Sequence, residues 1–88
     1  MKPFLKVRII TPAQTIYEGQ AASVSSTNSS GKFDILSGHA NFITIIANQP
    51  IIIRPKNSPA LTFSFPLAII YTSLNQVNIY TYSQSPNK

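Results

Sequence analysis

A chain of 88 residues has room for one domain and no second core, and a hydrophobic fraction of 43% suffices to build that core, so the sequence reads as globular rather than disordered. Only 10% of its residues are charged, against roughly 25% in ordinary soluble domains, yet the balance is +5; solubility falls to Ser, Thr, Asn and Gln, as fits a small domain with much of its surface facing a partner. The absence of cysteine excludes a disulfide scaffold and any thiolate zinc site.

In chain order the pattern is β almost throughout. Residues 4–10 alternate, with Leu5, Val7 and Ile9 on one face and Lys6 and Arg8 on the other, the period of a half-buried strand. The same two cations interrupt the N-terminal apolar residues, so no signal peptide is expected. Thr11-Pro12 ends the first strand. A short second strand is expected at 15–17, closed by Glu18-Gly19, and a third at 20–27 with Ala22 and Val24 inward. Asn28-Ser29-Ser30-Gly31 is the clearest loop signal. Residues 33–36 then lead into Ser37-Gly38-His39-Ala40-Asn41.

Strands are expected next at 42–46 and 50–54, on either side of Asn48-Gln49, and a polar loop at 55–59. Leu61, Phe63 and Phe65 alternate with Thr62 and Ser64. Strands at 67–71 and 77–82, joined through 73–76, complete the pattern. The apolar runs at 42–47 and 65–71 are far short of the ~20 residues of a membrane-spanning helix. Residues 42–46 are apolar at almost every position, and the reading preferred from sequence places them in the core, with cover by another subunit as the alternative. Many short strands with turn signals every few residues describe an all-β sandwich or barrel, occupying 1–82 as a single domain, with 83–88 as a frayed tail.

The chemistry-bearing residues are few. Glu18 and Asp34 are the two carboxylates and His39 the one histidine. A hydrolytic triad drawn from Asp34, His39 and a serine lacks the nucleophile-elbow spacing, so no catalytic residue, cofactor or metal site is expected. Gly31 and Gly38 read as turn glycines, since no Gly-Lys-Ser/Thr follows either. The basic residues Lys2, Lys6, Arg8, Lys32, Arg54, Lys56 and Lys88 are dispersed. A nucleic-acid interface, which needs a basic groove with stacking aromatics such as Tyr80 and Tyr82, is therefore the weaker alternative, and no nucleic-acid partner is expected.

With strands and loops placed, residues 31–40, Gly-Lys-Phe-Asp-Ile-Leu-Ser-Gly-His-Ala, are similar to a motif of the epsilon subunits of F-type ATP synthases, whose members carry roughly Gly-Ile-Leu-Pro-Gly-His-Ala-Pro at this distance from the start. Residues 7–19 resemble the family's opening strand, Thr-Pro turn and aromatic-x-Gly ending. Residues 42–46 and 76–80 resemble two later strands. Ser37, Asp34 and Asn41 depart from the family's Pro, Gly and Pro. Asn48-Gln49 stands for a Pro-Gly turn, Leu67-Ala68 for a glycine pair at a strand bend, and Asn48 and Asn75 are residues that tolerate left-handed geometry.

The resemblance implies a flattened β-sandwich of about ten strands. It also implies a non-catalytic place in the rotor (central stalk) of a proton-translocating enzyme, between the gamma subunit and the ring of c subunits, with the chain peripheral to the cytoplasmic side of a bacterial inner membrane, or the equivalent organelle face, through those partners. It puts Thr11, Gly38, His39, Ala40 and Thr44 toward gamma, and the loop of Asn28, Ser29, Ser30, Gly31 and Lys32 toward the c-ring; Lys32 stands where an acidic residue is frequent. The family's C-terminal two-helix arm has no counterpart in these residues, so the expectation is a subunit that supports coupling of rotation to ATP synthesis without the arm's inhibition. The alternative is a stand-alone binding module, epsilon-like or barrel-like, for a protein or single-stranded nucleic acid.

Overall fold

The computed structural model describes residues 4–82; the expected tail at 83–88, and the first three residues of the expected domain, lie outside them. The described residues form nine strands: β1 (Leu5–Ile10), β2 (Thr15–Ala21), β3 (Ser23–Asn28), β4 (Gly31–Leu36), β5 (Phe42–Ala47), β6 (Pro50–Arg54), β7 (Leu61–Ser64), β8 (Leu67–Ser73) and β9 (Gln76–Thr81). They make two sheets, ordered β2-β1-β9-β8-β5 and β4-β3-β6-β7. All pairings are antiparallel except β1 with β9. The architecture is the all-β sandwich, with nine described strands where about ten were expected.

The inner faces follow from alternation. Leu5, Val7 and Ile9 from β1, Val77 and Ile79 from β9, and Ala68 and Ile70 from β8 line the five-stranded sheet's inner side. They meet Val24, Ile35, Ile51 and Ile53 of the other sheet. Each Ile, Leu or Val fully withdrawn from water contributes about 1.5–3 kcal/mol, which makes this layer the main source of stability. Aromatic pairs close both lateral margins. Tyr17 of β2 lies 5.6 Å from Phe63 of β7, and Phe42 of β5 lies 5.4 Å from Phe33 of β4, centroid to centroid.

Three local expectations change. The second strand does not stop at Glu18-Gly19 but runs on to Ala21, because Gly19 is the site over which the Tyr17 ring lies: a Cβ there would come within 2.6 Å of the phenol oxygen. The aromatic-x-Gly pattern is thus a packing device inside a strand. Ala22 is exposed and Ala21 buried, because the chain crosses between sheets at this point, with Ala22 N donating to Arg54 O at 2.8 Å. Leu67-Ala68 needs no glycine-like bend, since β8 pairs in unbroken register with both neighbours. Asn48 and Asn75 do take left-handed backbone, at φ 57° and 62°.

Candidate functional site

The residues at 42–46 are not all core. Phe42, Thr44 and Ile46 point inward, but Ile43 and Ile45 are 66% and 60% exposed. The cause is position: β5 is the edge of the five-stranded sheet, and its outward side faces no second layer. A two-layer antiparallel fold covers only one face of each sheet, so a strand apolar on both sides must present one of them to solvent.

Register turns this into a continuous surface. Ile10 pairs with Tyr80, Tyr80 with Ile69 and Ile69 with Ile45, giving one cross-strand row over four strands. Beside it, Leu67 stands opposite Ala47, and Tyr71 opposite Ile43. Leu67, Ile69, Tyr71 and Tyr80 are each exposed by about two fifths to a half of their surface. An apolar cleft of about 310 Å³ opens at one end between Ile10, Pro12, Leu67 and Tyr82. A second lies at the β5 edge among Ser29, Ile43, Ile45 and Ile69, and Ile69 lines both.

The charged groups stand aside from the row. Lys6, Arg8 and Glu18 occupy the β1–β2 half of this face, where Lys6 Nζ lies 3.8 Å from a Glu18 oxygen with both side chains more than half exposed; such a pair adds little stability. The outer face of the four-stranded sheet is different in kind. There Arg54 Nη1 donates to Ser25 Oγ at 2.6 Å, and Ser25 Oγ donates in turn to Asp34. Asp34 is therefore engaged by Ser25, which Arg54 bonds from the other side, while His39 packs its ring 5.5 Å from that of Phe42. The structure does not assemble the hypothetical triad. Among the described residues no group of three His, Cys, Asp or Glu gathers as metal ligands.

The residues singled out by resemblance divide into three places. Thr11 is buried and committed to its own turn: its Oγ1 accepts from Ala13 N and Gln14 N and donates to Gln14 O. It borders the apolar cleft at the far end of β1. Gly38, His39 and Ala40 sit at the opposite end, where Gly38 N donates to Asn75 Oδ1 at 2.7 Å and His39 N to Leu36 O at 3.0 Å. Tyr80, the partner of Ile10, lies five positions along the chain from Asn75, which is about 17 Å at strand rise. Thr44 points inward on β5, and its Oγ1 accepts from Asn28 Nδ2 at 2.9 Å.

That last bond brings together two groups expected to face different partners. Asn28 also accepts from Ser30 N through Oδ1, shaping the β3–β4 turn that Gly31 completes at φ 121°. The turn leans on the β5 edge, with Ser29 in the cleft beside Ile43 and Lys32 exposed beyond it. The structure thus joins Thr44, Asn28 and Ser29 at one margin of the apolar row, leaves Thr11 at the other, and holds the Gly38–Ala40 loop at one end. The row itself was not picked out from sequence. The available signal was the apolar run at 42–46 together with Leu67, Ile69 and Tyr71.

Among the described residues the basic side chains do not form a groove. Lys6 and Arg8 are on one sheet, Arg54 and Lys32 on the other, and Lys56 Nζ sits 4.6 Å from the centre of the Phe4 ring. Among the described residues no helix is long and apolar enough to cross a membrane.

Comparison with known proteins gives one consistent result. The profile of the ATP synthase, delta/epsilon chain, beta-sandwich domain matches residues 4–85. The ATP synthase epsilon chain of Campylobacter jejuni subsp. doylei is 34% identical over 51 residues, covering 58% of this chain and 40% of the relative. The ATP synthase epsilon chain 2 of Paraburkholderia xenovorans is 38% identical over 55 residues, covering 61% and 38%. The chain spans about two fifths of the length of the curated relatives it matches. In fold it is similar to a chain in the cryo-EM structure of the Euglena gracilis mitochondrial ATP synthase OSCP/F1/c-ring, with a TM-score of 0.85 at 12% identity over 94% of this chain and 53% of the other. A chain of the Tetrahymena thermophila mitochondrial ATP synthase central stalk/c-ring gives a TM-score of 0.72 at 15% identity, over 90% and 63%.

Proposed function

This chain belongs to the delta/epsilon-chain β-sandwich family of ATP synthases, and on that premise we propose that it is an epsilon-type, non-catalytic subunit of the rotor that docks on the gamma subunit and reaches the c-ring. The observation that carries the reading is the apolar row Ile10–Tyr80–Ile69–Ile45 on the outer face of one sheet. Its counterpart on the other sheet is mostly polar, with Leu36 the large apolar side chain exposed there, and is internally bonded through Arg54, Ser25 and Asp34. A domain that presents one apolar and one polar outer face is built to be covered on one side.

The gamma-facing surface in this reading is the row with its borders: Thr11 shapes the turn at one margin, Thr44 holds the other through Asn28, and Gly38, His39 and Ala40 form the loop at the end. The β3–β4 turn of Asn28, Ser29, Ser30, Gly31 and Lys32 reaches toward the c-ring, where the Lys32 charge calls for an acidic or neutral polar counterpart. The chain is then peripheral to the membrane through its partners. The comparisons do not favour the stand-alone binding module, and the scattered cations do not favour single-stranded nucleic acid.

The test is affinity capture with tagged protein from detergent-solubilised membranes of the source organism, read by mass spectrometry. Recovery of gamma with alpha, beta and c subunits is the expected result. A well-folded bait that recovers none of them overturns the reading.

A further inference from the structure

The loop of residues 37–41 and the β8–β9 turn are tied by one side chain. Gly38 N donates to Asn75 Oδ1 at 2.7 Å across 37 positions of sequence. The carbonyl of the same asparagine accepts from Lys6 N at 2.9 Å. Asn75 is therefore anchored to β1 by its backbone while its side chain grips the loop.

The turn that presents Asn75 is strained. Strands β8 and β9 pair directly as far as Ser73 with Gln76, so Leu74 and Asn75 alone make the connection, at φ 52° and 62°. Two positive φ values give the primed geometry that matches strand twist. Asparagine tolerates it, whereas a leucine there crowds its own backbone, and Leu74 is 90% exposed with little packing to compensate. Strained backbone persists where its surroundings over-determine it. Here the two bonds to Asn75 do so.

Gly38 has the complementary property. It sits at φ 82°, exposed, with nothing within 4 Å of where a Cβ would stand. His39 N is bonded to Leu36 O, and the His39 ring rests on Phe42, but these restraints hold His39 and leave the Gly38 amide to Asn75. Glycine has the most conformational freedom to lose on ordering, so the bond fixes a residue that the contacts of His39 leave free.

We infer that Asn75 is a positioning residue for the Gly38-His39-Ala40 loop, setting the loop's conformation in the free chain so that a partner meets it preformed. Preorganisation of this kind raises affinity by removing the ordering cost from the binding step. That the partner is gamma rests on the proposed function; that Asn75 fixes the loop does not.

Two substitutions separate the acceptor from the turn. Asn75→Gly accepts the same φ and keeps the backbone carbonyl for Lys6 N, but removes the acceptor for Gly38. Asn75→Asp keeps an acceptor oxygen in the same place. In the isolated chain, amide exchange at Gly38 measured by NMR is expected to quicken by roughly 2- to 10-fold in Asn75→Gly, the range of one net hydrogen bond. Exchange at Val24 and Ile79 in the core should not change, and Asn75→Asp should match the wild type. Affinity for the purified gamma subunit should fall by a similar factor in the glycine variant and be restored by aspartate. Unaltered Gly38 exchange in Asn75→Gly overturns the inference, as does equal gamma binding by a variant whose Gly38 is demonstrably loosened. If Gly38 loosens as expected while even the wild type fails to bind gamma, the loop assignment stands and the docking reading fails.

Discussion

Replacing Ile43 and Ile45 together by threonine tests the apolar face without touching the core. Both side chains point outward from the β5 edge, at 66% and 60% exposure, and threonine retains the β-branched shape that suits a strand. Complete burial of an isoleucine side chain is worth about 1.5–3 kcal/mol. The part still exposed in the free chain therefore represents about 1–2 kcal/mol at Ile43 and about 0.9–1.8 kcal/mol at Ile45 on that scale. If a partner covers both, threonine forfeits most of a combined ~2–4 kcal/mol, which weakens binding roughly 20- to 500-fold at tenfold per ~1.4 kcal/mol. Folding stability should move by no more than about 0.5 kcal/mol per site, as for surface positions generally. Titration calorimetry against purified gamma subunit gives the first quantity and urea unfolding the second. A double variant that binds within threefold of wild type, with its fold intact, refutes the assignment of this face as the interface.

Two further expectations concern stability. Thr72 is fully buried on β8, and its Oγ1 has no hydrogen-bond partner; Thr72→Val removes an unsatisfied hydroxyl at nearly constant shape and should stabilise the fold by about 1 kcal/mol, raising the calorimetric melting temperature by roughly 4–8 °C for a domain of this size. Leu74→Asn places a residue that tolerates positive φ in the exposed first position of the β8–β9 turn and should add about 1 kcal/mol to the unfolding free energy measured in urea.

The layer structure was legible because its cause is local. Alternation at Leu5, Val7 and Ile9 states which side of β1 is inward, and Asn28-Ser29-Ser30-Gly31 states where a hairpin turns. Which strands become edges is not local. Nothing within Phe42–Ala47 says that β5 ends a sheet, since that depends on β8 pairing with β9 on its other side, and an unbroken apolar run describes a central strand and a covered edge equally well. The same limit explains Gly19. Its neighbour Tyr17 supplies the reason for a glycine, but only once the ring's direction along the strand is known. For the candidate site, the loop at 38–40 and the turn at 28–32 stand out by composition, whereas the row from Ile10 to Ile45 draws its members from four strands and exists only through their register.

The four sheet edges show why β5 is the one that calls for a partner. Exposed edges invite pairing with other chains, and natural sheets blunt them with charge, proline or brevity. Strand β2 carries Glu18, and its pairing with β1 is broken by a register shift at Ile9/Ile10. Strand β4 carries Lys32 and Asp34. Strand β7 has only four residues, with Pro59 and Pro66 close on either side. Strand β5, Phe-Ile-Thr-Ile-Ile-Ala, has no charge, no proline and no glycine, the composition that aggregates when left free. Three guarded edges and one bare one do not follow from a general shortage of charge, because the few charges available stand on two of the other three. The bare edge adjoins the apolar row and the β3–β4 turn, so a partner covering the row would shield this edge as well.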